Sequence, residues 1–87
     1  MKTKKIIYFT AQWCSACKAM KPNFEKAMSN LPEVKYEYLD IESDRGSELS
    51  LIYKIKNLPT LIFLDEKGDI IGRESGNTAF KEIDKYL

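Results

Sequence analysis

The sequence predicts one α/β domain over residues 1–87, in the order β-α-β-α-β-β-α: a four-stranded mixed sheet flanked by three helices. Three observations predict it. An unbroken apolar run, Ile6-Ile7-Tyr8-Phe9, stands near the N-terminus. Directly behind it, Ala16, Met20, Phe24 and Ala27 with Met28 recur at helical spacing. Late in the chain, two short strand-like runs flank the turn Asp65-Glu66-Lys67-Gly68. With 87 residues, 44% of them hydrophobic, the chain has material for one core and no more. It shows no repeat, low-complexity segment or linker.

Residues 4–10 suit a central strand, because a run with no polar interruption can be buried on both faces. A turn at residues 11–13 leads to a helix from Cys14 to about Asn30. Pro22 falls inside it, removes one amide donor and should bend it. Residues 34–40 alternate, with Val34, Tyr36 and Tyr38 on one face against Lys35 and Glu37 on the other. That is a half-buried strand near a sheet edge. Residues 42–46 read as polar loop and residues 47–54 as a short helix capped by Asp44 or Ser47. Residues 60–64 form a third apolar strand and residues 69–73 return from the turn, in which Gly68 suits a left-handed position. Gly76 breaks the chain, Asn77 or Thr78 caps a last helix, and Phe80, Ile83 and Leu87 line its inner face. The first β-α-β unit should be parallel and right-handed, and the last two strands an antiparallel hairpin.

Composition removes several functions. The net charge is +1, from 14 basic and 13 acidic residues, and no basic stripe marks a nucleic-acid binder. Lys2, Lys4 and Lys5 read as a solvated strand start, Lys81 and Lys85 as helix-surface charge, and residues 40–44 as a solvated acidic loop. No apolar run has membrane-spanning length, and the N-terminus has no apolar stretch of signal-peptide length. A cytoplasmic location and a monomer are expected. Two cysteines rule out a multi-disulfide scaffold. They also supply only half of a tetrahedral zinc site, and with no histidine in the chain no Cys–His dyad can form, so no metal or other cofactor is expected.

The chemistry concentrates in Trp13-Cys14-Ser15-Ala16-Cys17-Lys18, where the first strand hands over to the first helix. A helix N-terminus stabilises an anion through its free amides and its macrodipole. Here the anion is a thiolate, which is the attacking form of cysteine. Cys14, at the helix entry, should be the more exposed and more acidic sulfur; Cys17 lies one turn in, on the same side. Cys14 would attack a substrate disulfide, and Cys17 would then displace the reduced substrate from the mixed disulfide. Lys18 adds positive potential nearby. Trp13 is either core or an exposed wall beside the sulfurs, and Pro59 either an ordinary turn proline or part of the site. Tyr8, Tyr38, Met20 and Met28 read as packing residues.

Taken together, these motifs resemble the thioredoxin family over nearly the whole chain. Trp13-Cys14-x-x-Cys17-Lys18 is similar to that family's WCxxCK site, Pro22 to the proline that kinks the active-site helix, and Leu58-Pro59-Thr60 to its cis-proline loop. Gly68 and Gly76 fit the family's hairpin glycine and the glycine before its last helix. The resemblance implies Cys14 as nucleophile and Cys17 as resolving thiol. It implies a cis Pro59 shaping the substrate groove, Leu58 presenting backbone groups to substrate, and Trp13 as an apolar wall. Disulfide-containing proteins are the implied partners, ribonucleotide reductase among them, with a flavoprotein of the thioredoxin-reductase kind as electron donor.

Three departures from the family accompany the match. The chain begins at the active-site strand, so the usual first strand and helix are expected to be missing. The family's buried Asp aligns with Tyr8, and its partner Lys falls near Tyr38. The spacer is Ser15-Ala16, with no histidine, which favours a reductant over an oxidant. Two other functions fit less of the sequence: a glutathione-coupled, glutaredoxin-like carrier, and a docking subunit of this fold with incidental redox activity.

Overall fold

A computed structural model describes residues 2–87. The elements are β1 (Lys5–Thr10), α1 (Ser15–Met28), β2 (Lys35–Asp40), α2 (Asp44–Ile52), β3 (Thr60–Leu64), β4 (Ile70–Ser75) and a C-terminal 3₁₀ helix, η1 (Ala79–Tyr86). The sheet order is β2-β1-β3-β4. β1 pairs parallel with β2 and antiparallel with β3, and β3 pairs antiparallel with β4. The order of elements and the mixed four-stranded sheet agree with the sequence reading.

The two faces of the sheet build two cores, because successive strand residues point to opposite sides. Ile6 and Tyr8 of β1, with Leu61 and Phe63 of β3, pack with Cys17, Met20, Phe24 and Met28 of α1 and with Ala79 and Ile83 of η1. Ile7, Phe9, Ile62 and Leu64 point the other way, where Leu49 and Tyr53 from the α2 region cover them. Thus α1 and η1 share one face and α2 takes the other. The N-terminus is tied down on the first side: the Thr3 amide and hydroxyl both donate to the Tyr86 carbonyl, at 2.9 and 2.5 Å.

Several boundaries differ from the sequence reading. Cys14 caps α1 instead of opening it, and the helix ends at Met28, before Asn30. Val34 is buried but precedes β2. α2 starts at Asp44, inside the stretch read as loop, because neither Asp44 nor Ser47 is the cap. Ser43 is, its hydroxyl accepting the Gly46 amide at 3.0 Å. β4 runs to Ser75, two residues past the expected end, because Ser75 pairs with Thr60. The last helix is 3₁₀: Thr78 stands at its start without a side-chain cap, and tight three-residue bonds such as Lys81 N–H to Thr78 C=O (2.9 Å) open it. Leu87, expected on the inner face, is exposed.

Gly46 carries a constraint that composition alone hides. It is buried at the start of α2, where a side chain would collide with the backbone carbonyl of Asp40. The helix therefore closes onto the end of β2 only through glycine. Gly46→Ala is expected to lower stability by about 1–3 kcal/mol, the usual range for overpacking. A fall in the urea midpoint at unchanged m-value checks it.

Candidate active site

β1 ends at Thr10, and the chain turns so that the Cys14 amide donates to the Ala11 carbonyl at 3.1 Å. Cys14 then sits at the N-cap of α1 with extended backbone angles. Its Sγ occupies the place of a capping oxygen and accepts the Cys17 amide at 3.1 Å. The first turn of α1 has no acidic residue, so no carboxylate opposes the macrodipole at that sulfur. Cys14 and Cys17 are joined as a disulfide, with Cα atoms 5.3 Å apart. Cys14 keeps 7% of its surface exposed and Cys17 only 1%, in the order the helix position predicts.

On the Cys14 side lies a cleft of about 310 Å³ lined by Trp13, Cys14, Ile41, Ile55, Asn57 and Leu58, among others. Trp13 is 65% exposed and stands as a wall of this cleft, not in the core. Leu58 lines it from the opposite loop. The Leu58–Pro59 peptide is cis, and Pro59 itself is buried behind Leu58. Two bonds hold that loop. The Thr60 hydroxyl donates to the Asn57 carbonyl at 2.5 Å, and the Gly76 amide donates to the Pro59 carbonyl at 2.9 Å. Gly76 has φ of +100°, which glycine adopts without strain, so it serves the cis loop as well as breaking the chain before η1.

Beneath the pair, Tyr8 does more than pack. It is fully buried, and its hydroxyl donates to the Cys17 carbonyl at 2.5 Å. Tyr8 is thus the packing residue that the sequence suggested, and its hydroxyl adds a bond to the main chain of Cys17. Its ring meets those of Phe24 and Tyr38 edge-on, each at 4.9 Å between centroids. Tyr38 in turn donates its hydroxyl to the Glu25 carboxylate, and the Lys21 ammonium lies 4.3 Å above its ring. Burial, then the nearby Glu25 charge, pushes the Tyr8 hydroxyl up to about 12; burial and the Glu25 hydrogen bond raise Tyr38 as well. Both phenols are therefore neutral donors across the physiological range.

A second cleft, of about 240 Å³, opens on the Cys17 side between β1, α1 and β2, and Lys18, Lys21 and Asp40 line it. Lys18 is exposed there, and Pro22 is exposed within α1. Of the two places the sequence gave Asp40, the end of the second strand and the start of an acidic loop, the structure has the first. It ends β2 opposite Thr10, and its Oδ1 accepts the Glu42 amide at 2.8 Å. The strand reading of residues 34–40 put it at a strand end, apart from Glu42 and Asp44 in the loop, but only pairing with β1 shows that it borders the cleft that Cys17 lines. Glu25 and Lys21 were likewise missed, although both lie on the α1 surface within reach of an aromatic on β2. Among the described residues no group of three or more His, Cys, Asp or Glu side chains could hold a metal ion, and no helix is long and apolar enough to cross a membrane.

The thioredoxin family model matches residues 1–87. The chain is 40% identical over 65 residues to a thioredoxin of Mycoplasma pneumoniae, covering 75% of this chain and 61% of that one. It is 30% identical over 84 residues to a thioredoxin of Mycoplasmoides gallisepticum, covering 97% of this chain and 81% of that one. Among solved structures it is similar to Fasciola hepatica thioredoxin, with a TM-score of 0.83 and 28% identity over 99% of this chain and 84% of the other.

The buried phenol makes a pH prediction. Because Tyr8 ionises at a higher pH folded than unfolded, its contribution is complete below about pH 10, where the unfolded chain's tyrosines titrate, and is lost as pH rises toward 12. The urea midpoint is expected to stay level up to about pH 9 and then fall, with a shallower fall in Tyr8→Phe. Near neutral pH that variant should lose about 1 kcal/mol, the usual worth of one hydrogen bond.

Proposed function

The chain belongs to the thioredoxin family and carries that family's thiol–disulfide oxidoreductase site at Cys14 and Cys17; on that premise we propose that it works as a reductant of protein disulfides in the cytoplasm. The observation that carries this reading is the asymmetry of the pair. Cys14 caps a helix and borders an open apolar cleft, whereas Cys17 is sealed behind it. A substrate disulfide can reach the first sulfur and not the second.

The steps follow from that asymmetry. The substrate lies in the cleft between Trp13 and Leu58. The Cys14 thiolate attacks one substrate sulfur, and the other leaves as a thiolate. Cys17 then attacks Cys14, forming the intramolecular disulfide and releasing the second substrate sulfur reduced. Two electrons pass from the dithiol to the substrate, and no cofactor takes part. The Ser15-Ala16 spacer, with no histidine to stabilise the reduced thiolate further, supports the reducing direction. A reducing compartment keeps such a dithiol charged. We assign the recharging step to a flavoprotein reductase and place ribonucleotide reductase among the disulfides served. No observation favours glutathione coupling or a purely docking role.

Equilibration of the Cys14–Cys17 pair in defined thiol–disulfide buffers tests the direction. The expected reduction potential is near or below about −270 mV, and a value above about −200 mV overturns the reducing assignment. Cys14→Ser is expected to abolish disulfide reduction. Cys17→Ser should instead accumulate a mixed disulfide with substrate, detectable as an adduct by mass spectrometry.

A further inference from the structure

We propose that Asp40 accepts the Cys17 proton during the resolving step, through water in the cleft that the two residues share. The proposal rests on the thiol–disulfide reading above and concerns how its second step is made possible. Cys17 must lose a proton before it attacks, because the thiol is a poor nucleophile. Cys17 is only 1% exposed, and it lines the cleft on its side. Beneath it, the Tyr8 hydroxyl is committed as a donor to the Cys17 carbonyl and stays protonated at neutral pH. A neutral donor cannot receive the proton.

The remaining route is lateral. The cleft beside Cys17 is bordered by Thr10 and Gln12 from the end of β1 and the turn after it, by Lys18 and Lys21 from α1, and by Asp40 from β2. Asp40 is the one carboxylate among these, and Lys18 and Lys21 are the other charged groups facing it across the cleft. Its Oδ1 is anchored by the Glu42 amide at 2.8 Å, which orients the carboxylate and leaves Oδ2 for water. A volume of about 240 Å³ admits several waters, each taking roughly 30 Å³.

The charge balance also favours this path. Before transfer the cleft holds two ammonium groups, one carboxylate and a neutral thiol. After transfer it holds two ammonium groups, a thiolate and a neutral acid. The net charge does not change, so no charge is created in a partly desolvated space. The full step is Cys17–SH plus Asp40 carboxylate plus the Cys14–substrate disulfide, giving the Cys14–Cys17 disulfide, the substrate thiolate and Asp40 carboxylic acid. The acid then returns its proton to solvent or to the departing thiolate.

Stopped-flow mixing of the reduced protein with a bis-nitrobenzoate disulfide separates the two steps, because each releases one coloured thiolate. In the native protein the second phase should show a normal solvent deuterium isotope effect. Asp40→Asn keeps the turn acceptor for Glu42, leaves the first phase unchanged and slows the second by about tenfold or more at about pH 6, below the range expected of general-base catalysis in a direct contact. Asp40→Glu should restore part of the rate. The proposal is overturned by an equal loss in both phases of Asp40→Asn, by native second-phase rates in it at every pH, or by the absence of an isotope effect in the native chain, a reading that needs no variant to fold. Failure of the first phase in the native protein would instead sink the assignment of the site itself. The small disulfide makes both phases independent of the physiological direction of electron flow.

Discussion

β1 is hydrogen-bonded on both edges and buried on both faces, and that double confinement determines where its C-terminal end delivers the chain. A strand paired with β2 on one side and β3 on the other cannot slide without turning Ile6 and Tyr8 into the opposite core. The turn after Thr10 therefore starts from a fixed point, and Cys14 arrives at the N-cap of α1 with its sulfur on the Cys17 amide. From the same strand, Tyr8 reaches up to the Cys17 carbonyl and Thr10 borders the lateral cleft. One strand thus positions the cap, the floor and one wall of the site.

The parts of the fold that were legible in the sequence are those set by periodicity. The unbroken run at 6–9 indicated a central strand, and the α1 spacing indicated its inner face. The strand alternation in 34–40 indicated an edge. Cysteine placement could be read too, since a CxxC after an apolar strand implies a helix entry. What could not be read depended on contacts between distant segments. Ser43 caps α2 because the chain folds back so that Gly46 lies against the Asp40 carbonyl, and no local pattern singles out Ser43 over Ser47. The 3₁₀ form of η1 belongs to a terminal segment held by packing of Ala79 and Ile83 without a side-chain cap. Asp40 could be placed at a strand end, but its position opposite Thr10 and beside the cleft depends on the pairing of β2 with β1.

The aromatic floor changes the energetics of the site as well as its shape. Tyr8, Phe24, Tyr36 and Tyr38 form a run of edge-on contacts linking β1, α1 and β2, with centroid distances of 4.9 to 6.2 Å. Such pairs add about 0.5–1.5 kcal/mol each beyond the area they bury. Glu25 and Lys21 close the outer end of the run, one as hydrogen-bond acceptor and one above a ring face. By contrast, the Lys5–Glu37–Arg45 ion pairs on the other side of β2 are partly solvated and contribute little to stability. The support beneath the cysteines is thus chiefly apolar, with polar groups that are spent on defined partners.

That allocation has a consequence for proton movement. A carboxyl buried beneath the cysteines would be well placed to take a proton, but burial without a paired cation is costly and raises its own affinity for that proton. A buried phenol with a satisfied hydroxyl avoids the cost and helps to rigidify the helix turn that carries Cys17. It also gives up acid–base function, because its ionisation is pushed still further from neutrality. Stability under the pair and a proton acceptor under the pair are therefore competing demands on one position. In this chain the floor serves stability, and the acid stands at the rim, at the end of β2, in a cleft that Lys18 and Lys21 also line. Because the rim position is set by β1–β2 pairing, the same strand that seats the cysteines also holds the group able to take their proton.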